Sequence, residues 1–285
     1  MIFSDLKLIG LDLDGTLLGA DSLVHEPEAR AVQQARRAGV SVALATGRSM
    51  HDALPHAAAA GGVDWFITEN GARVTSADGS TIYEDALSSG HLHTLLDLCE
   101  QYGVEPSFYG KGCVWYGSEC RAFFAEVARQ RGGTMPIDME QYRYVDTADA
   151  WRALADTQTV YKAIVYGDTA QLDEWMEKIQ ASGRFEAEPS VYCGMKNVEI
   201  NRKGTNKGHA LLSLAQRLGL HRSQVMACGD SDNDRAMLHA AGLGVAMANA
   251  PLHIRNMADA VTGTNENHGV CQAIEQYILH ARKHA

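Results

Sequence analysis

The apolar run Leu8-Ile9-Gly10-Leu11 delivers two aspartates, Asp12 and Asp14, straight into a Gly15-Thr16 turn, and no other feature constrains the chain as strongly. An unbroken apolar run of this length reads as a strand buried on both faces, as in a parallel sheet. In an open α/β sheet, ligands bind beyond the carboxyl ends of the strands, which is where Asp12 and Asp14 stand. Two neighbouring carboxylates repel each other unless a cation neutralises them. A hard divalent ion held by oxygen ligands, most simply Mg²⁺, resolves the conflict and leaves a carboxylate oxygen to attack phosphorus. The same residues also read as an Asp-Gly turn that merely closes a strand.

Three distant segments decide between these readings. The run VSVALA ends in Thr46-Gly47-Arg48, again a strand entering a polar turn, with a hydroxyl and a flexible backbone suited to a phosphate oxygen. Lys207 opens a helix whose apolar positions Leu211, Leu214, Ala215 and Leu218 recur at helical spacing. A cation at that end opposes the helix dipole, so another interaction must favour it. Finally, VMACGDSDND carries a strand into Gly229-Asp230, with a helix opening around Asn233-Asp234. Charged or polar groups thus gather at four strand ends or helix starts.

The ordered set, DxDGT at Asp12–Thr16, Thr46, Lys207 and GDxxND at Gly229–Asp234, resembles the haloacid dehalogenase (HAD) superfamily phosphatases of the Cof type, subfamily IIB. The resemblance spans essentially the whole chain. It implies an α/β fold: a Rossmann-like, doubly wound parallel sheet core with an inserted α+β cap of the C2B kind. It implies that Asp12 is the nucleophile that becomes an aspartyl-phosphate, and that Asp14 is the acid/base. Asp12, Asp230 and the Asp14 main-chain carbonyl would ligate Mg²⁺, with Asp234 one step further out or acting through water. Leu13, Gly15, Thr46, Gly47, Lys207 and Asn233 would hold the phosphoryl oxygens, whose transition-state charge calls for opposing charge and N–H donors. Ion-transporting relatives carry Thr where this chain has Asp14, so rapid hydrolysis of the phosphoenzyme is expected here. One departure stands out: His268 occupies a position, before Gly269, where the family usually carries an acid.

At 285 residues the chain exceeds the usual single-core size, so two domains are expected. Residues 1–84 and 194–285 read as the catalytic core, with a βαβ pattern from Asp12 through the Pro27 helix to Thr46, and a hairpin across Asp78-Gly79. Residues 85–193 follow a different rhythm and read as the cap, a lid that selects substrate, including a helix with a capping box at Asp168–Gln171. The chain is expected back in the core near Val198-Glu199-Ile200.

A formal charge of −10 and a pI near 5.6 argue against a nucleic-acid or membrane-surface binder. No apolar run is long enough to span a bilayer and no signal sequence is visible, which predicts a cytoplasmic protein. The six cysteines lack CxxC spacing, so reduced thiols are expected. No heptad run specifies an oligomeric state. The resemblance implies a small phosphorylated molecule as the partner: a sugar phosphate foremost, otherwise a phosphorylated cofactor or nucleotide. Two alternatives remain open: a sugar phosphomutase reusing the same phospho-aspartate, and a non-catalytic phosphate-ligand sensor.

Overall fold

The structure is a computed structural model that describes residues 5–130, 132, 139–167, 169–192 and 195–280. The chain begins β1 (Leu8–Leu11), α1 (Glu26–Arg37), β2 (Ser41–Ala45), α2 (Met50–Ala59), β3 (Trp65–Thr68), β4 (Arg73–Ser76) and β5 (Thr81–Glu84). It continues α3 (Ser89–Tyr102), β6 (Glu105–Gly110), β7 (Cys113–Tyr116), α4 (Ser118–Gln130), β8 (Tyr142–Tyr144), α5 (Ala148–Thr157), β9 (Val160–Tyr166), α6 (Thr169–Ala181), β10 (Phe185–Tyr192) and β11 (Met195–Arg202). It closes with α7 (Lys207–Arg217), β12 (Val225–Gly229), α8 (Arg235–Ala240), β13 (Leu243–Ala246), α9 (Leu252–Met257), β14 (Ala260–Val261) and α10 (Gly269–Ile274). Two compact units result: Met1–Glu84 with Asn206–Ala285, and the insertion Asp85–Thr205.

In the first unit the strand order is β14-β13-β12-β1-β2-β3-β4-β5. Strands from β14 to β3 run parallel, and β4 and β5 add an antiparallel edge. Strand alternation splits the side chains between two layers. Ile9, Leu11, Val42, Leu44 and Cys228 pack on α1, α2 and α10, while Leu8, Ala43, Ala45, Val225 and Ala227 pack on α7 and α8. Gly10 faces α7, where a Cβ would lie 2.9 Å from a Leu211 methyl, so glycine lets that helix seat against β1. The order reverses at β1, which lies between β2 and β12, and this switch point opens a crevice at the strand's carboxyl end.

The inserted unit has a six-stranded sheet in the order β10-β11-β9-β6-β7-β8. Helices α3, α5 and α6 cover one face through Leu92, Leu95, Trp151, Trp175 and Ile179, and α4 covers part of the other through Phe123, Phe124 and Val127. Strand β11 pairs with β9 and β10 here, so Val198-Glu199-Ile200 belongs to this sheet and does not return to the core as expected. The boundary expected at 193/194 falls on residues outside those described, and the units divide at Thr205/Asn206. The difference has a physical origin: β10 and β11 form one long hairpin, and the alternation of Val198 and Ile200 with polar residues marks a half-buried strand without marking which sheet it joins. Asp168, expected to cap α6, also lies outside the described residues.

His268 takes φ +58° and stands 3.3 Å from the buried carboxylate of Glu28 on α1. The histidine that stands where the family usually carries an acid thus lies beside an acid on α1. Cys99, Cys113, Cys120, Cys228 and Cys271 are free thiols. Among the described residues no helix is long and apolar enough to cross a membrane.

Candidate active site

Asp12 follows β1 directly and is buried; its N–H donates to the Cys228 carbonyl of β12 at 3.1 Å, fixing it at the switch point. Gly15, at φ +79°, turns the chain so tightly that a Cβ there would lie 2.4 Å from an Asp230 carboxylate oxygen. Only glycine allows Asp230 that close to the turn. Thr16, also buried, donates its hydroxyl to Asp230 Oδ1 at 2.8 Å.

Lys207 begins α7 behind the cap Asn206, whose side chain accepts from the His209 N–H at 2.8 Å. The lysine is fully buried, with Nζ donating to Asp12 Oδ1 at 2.6 Å, to Asp234 Oδ1 at 2.8 Å and to Asn233 Oδ1 at 3.3 Å. These partners are what offset the unfavourable helix dipole. Burial opposes its charge, yet the Asp12 and Asp234 carboxylates outweigh that and raise its pKa. The second Asp234 oxygen accepts from the Asp230 and Ser231 N–H groups at 3.0 and 3.1 Å, so Asp234 ties the GDxxND turn to Lys207.

Carboxylate oxygens of Asp12, Asp230 and Asp234 lie within 4.8 Å of one another. Burial first, then the Asp234 charge, pushes the Asp12 carboxyl well above its ordinary range, with Lys207 offsetting only part. Burial and Asp234 likewise push Asp230 up to about 6, against the Thr16 hydroxyl. Three carboxylates against one ammonium leave the cluster short of positive charge, and all its donors are hard oxygens. A magnesium-sized divalent cation fits that deficit and that donor set.

The remaining expected residues gather around this cluster unevenly. Thr46 is buried at the end of β2; its hydroxyl accepts from the Arg48 N–H at 3.1 Å, and its carbonyl accepts from the Asn70 N–H at 3.1 Å. Gly47 completes that turn, and Leu13 is buried beneath the first one. The Asp14 carboxylate is not part of the three-carboxylate cluster. Both its oxygens accept from Arg48, Nη2 at 2.6 Å and Nε at 2.8 Å. Burial would raise its pKa, but the Arg48 hydrogen bonds and charge outweigh that and hold it below the usual value.

Further residues brace these turns. Asn249 donates to the Gly15 carbonyl at 2.8 Å and accepts from the Asn265 N–H, while Asn265 Nδ2 donates to the Leu18 carbonyl at 2.9 Å. Glu69, Asn70 and Gly71 are buried with positive φ, and a Gly71 Cβ would lie 2.4 Å from the Asn206 carbonyl oxygen. This loop thereby seats the first turn of α7 against the Thr46 turn.

The sequence matches the haloacid dehalogenase-like hydrolase family over residues 9–274. It is 29% identical to the phosphatase YwpJ of Bacillus subtilis, covering 96% of this chain and 100% of that one. It is 28% identical to 5-amino-6-(5-phospho-D-ribitylamino)uracil phosphatase YcsE of the same organism, covering 96% and 97%. A solved haloacid dehalogenase-like hydrolase from B. subtilis superposes with a TM-score of 0.82 at 26% identity, covering 96% and 100%. The chain belongs to the haloacid dehalogenase-like hydrolase family and is a phosphatase of that family.

Proposed function

We propose that this chain hydrolyses small phosphate monoesters, sugar phosphates foremost, through an aspartyl-phosphate on Asp12. The observation that carries this reading is the buried Asp12–Lys207–Asp234 contact at the carboxyl end of β1, which holds a carboxylate nucleophile beside a fixed cation. Asp12 attacks phosphorus in line while the leaving oxygen takes a proton from Asp14. Water then attacks the aspartyl-phosphate and yields its proton to Asp14. The Asp12–phosphorus bond breaks, and its electron pair returns to the carboxylate. Lys207, Asn233, Thr46 and the N–H groups of the Leu13–Gly15 turn, with Gly47 permitting close approach, oppose the charge on the phosphoryl oxygens. Asp12, Asp230 and the Asp14 carbonyl would hold Mg²⁺, with Asp234 behind them. When bound, the ion supplies charge neutralisation and Lewis acidity toward the phosphoryl group.

Substrate selection falls to the inserted unit in this reading. A phosphomutase would gather cations there for a second phosphate. Instead Arg121 lies over the Tyr144 ring, Arg129 pairs with Glu126, Arg143 donates to the Glu140 and Tyr142 carbonyls, and Lys162 pairs with Glu199. That dispersal favours hydrolysis. The substrate in the name of YcsE, a phosphorylated ribityl compound, is of the same chemical class as the sugar phosphates proposed. The test is Mg²⁺-dependent release of phosphate from p-nitrophenyl phosphate, followed by a screen of sugar phosphates, nucleotides and phosphorylated cofactors compared by kcat/KM. Asp12→Asn is expected to abolish release, and retained activity in that variant would overturn the mechanism.

A further inference from the structure

Arg48 places its guanidinium between two partners. Nε and Nη2 donate to the two Asp14 oxygens, and Nη1 lies 3.1 Å from Nε2 of His56 on α2. An arginine offers donors only, so His56 Nε2 accepts here and the ring is the neutral tautomer with its proton on Nδ1. The surroundings agree: burial first, then the Arg48 charge, holds the His56 pKa below its ordinary value, against the weaker pull of Asp14 and Asp52.

The histidine stands on a rigid support. Helix α2 is capped by Ser49, whose hydroxyl accepts from the Asp52 N–H at 3.3 Å, and Ala53 and Ala57 bury its inner face in the core. Asp14, by contrast, sits on a turn with its side chain more than half exposed. Side-on contact to both carboxylate oxygens restricts such a side chain, provided the guanidinium is itself held.

We propose that His56 is a positioning residue for hydrolysis of the phosphoenzyme: by accepting from Arg48 it fixes the guanidinium that orients Asp14 toward the attacking water. The proposal rests on the reading of Asp14 as the acid/base. Both Asp14 oxygens accept from Arg48, the arrangement of a proton acceptor, which is the part Asp14 plays in the second step. There the water oxygen bonds to phosphorus, the Asp12–phosphorus bond breaks, and the water proton passes to Asp14. With p-nitrophenyl phosphate the phenolate leaves without a proton from Asp14, so formation of the aspartyl-phosphate depends on Asp12 and Lys207, neither of which the described contacts of His56 include.

The experiment follows p-nitrophenyl phosphate in rapid-mixing and acid-quench assays with His56→Leu and His56→Gln. Losing a hydrogen bond to a charged group should slow phosphoenzyme hydrolysis about tenfold in His56→Leu. The expected signature is a burst of p-nitrophenolate and an acid-stable phosphoenzyme, absent from the unsubstituted protein. His56→Gln, which keeps an acceptor, should restore kcat to within about threefold. Should His56→Leu fail to fold, His56→Gln against His56→Lys makes the same comparison, the lysine setting a cation against Arg48. An unaltered kcat overturns the proposal, and so does a fall in kcat without phosphoenzyme accumulation. An active Asp12→Asn variant would instead sink the underlying hydrolysis reading, which separates the two failures.

Discussion

Replacing Lys207 with Met keeps most of the length and apolar stem of a fully buried side chain and removes its ammonium group. The ammonium answers Asp12 at 2.6 Å and Asp234 at 2.8 Å, both themselves buried. Removing one partner of such a cluster costs about 3–5 kcal/mol, because the carboxylates stay desolvated with nothing to oppose them. With an m-value of about 2 kcal/mol/M, a loss of about 4 kcal/mol lowers the urea midpoint of the first unit by about 2 M. The cost depends on pH. Asp12 is already raised above its unfolded value, and the loss of Lys207 raises it further. A carboxyl whose folded pKa is raised binds its proton more tightly in the folded state, so its contribution is greatest in acid and fades as pH rises through that folded value. The deficit of Lys207→Met should therefore be smaller at pH 5 than at pH 8, and Mg²⁺ should recover part of it at pH 8 by binding the folded state. The assay is urea denaturation followed by circular dichroism at both pH values, in EDTA and in excess Mg²⁺. A midpoint within about 0.5 M of the unsubstituted protein at pH 8 in EDTA would refute the claim that Lys207 balances this cluster.

The raised pKa of Asp230 gives a second pH effect in the protein stripped of divalent ions. The rise from an ordinary 3.8 to about 6 corresponds to about 3 kcal/mol, trimmed to about 2 by partial exposure. That stability is present below about pH 4 and lost as pH rises through 6; comparing Asp230→Asn with the parent in urea titrations should isolate it, and identical pH slopes would contradict it. Gly15→Ala forces a Cβ to 2.4 Å from Asp230 at φ +79°. The p-nitrophenyl phosphate assay should register a fall in kcat/KM of at least about a hundredfold with the melting cooperativity preserved, and an activity near the parent's would mean that the turn is less constrained than its geometry implies.

The strand-end chemistry was legible because each functional turn follows an apolar run whose burial follows from composition alone. Asp12, Thr46, Lys207 and Asp230 stand at the strand ends or helix start where periodicity put them. What the sequence hid were pairings between distant polar residues. Arg48 gave no sign of reaching Asp14, nor His56 of reaching Arg48, because a polar residue on a turn or helix carries no label for its partner. Asn249 and Asn265 brace the first turn from more than two hundred residues away, and nothing in their local sequence names that turn as their partner. The same gap explains β11, whose alternating apolar and polar residues suit either sheet, and His268, whose neighbour Glu28 lies far up the chain on α1.

The central position of β1 bears on how the protein is made. Its two neighbours are β2, which soon follows it, and β12, which arrives only after the whole insertion. Asp12 and its counter-ion Lys207 are separated by 195 positions. During translation, a ribosome-bound chain therefore exposes one flank of β1 until β12 emerges. The nascent protein must wait, half a sheet with uncompensated acids, and its folding is gated by synthesis of its own carboxyl-terminal segment.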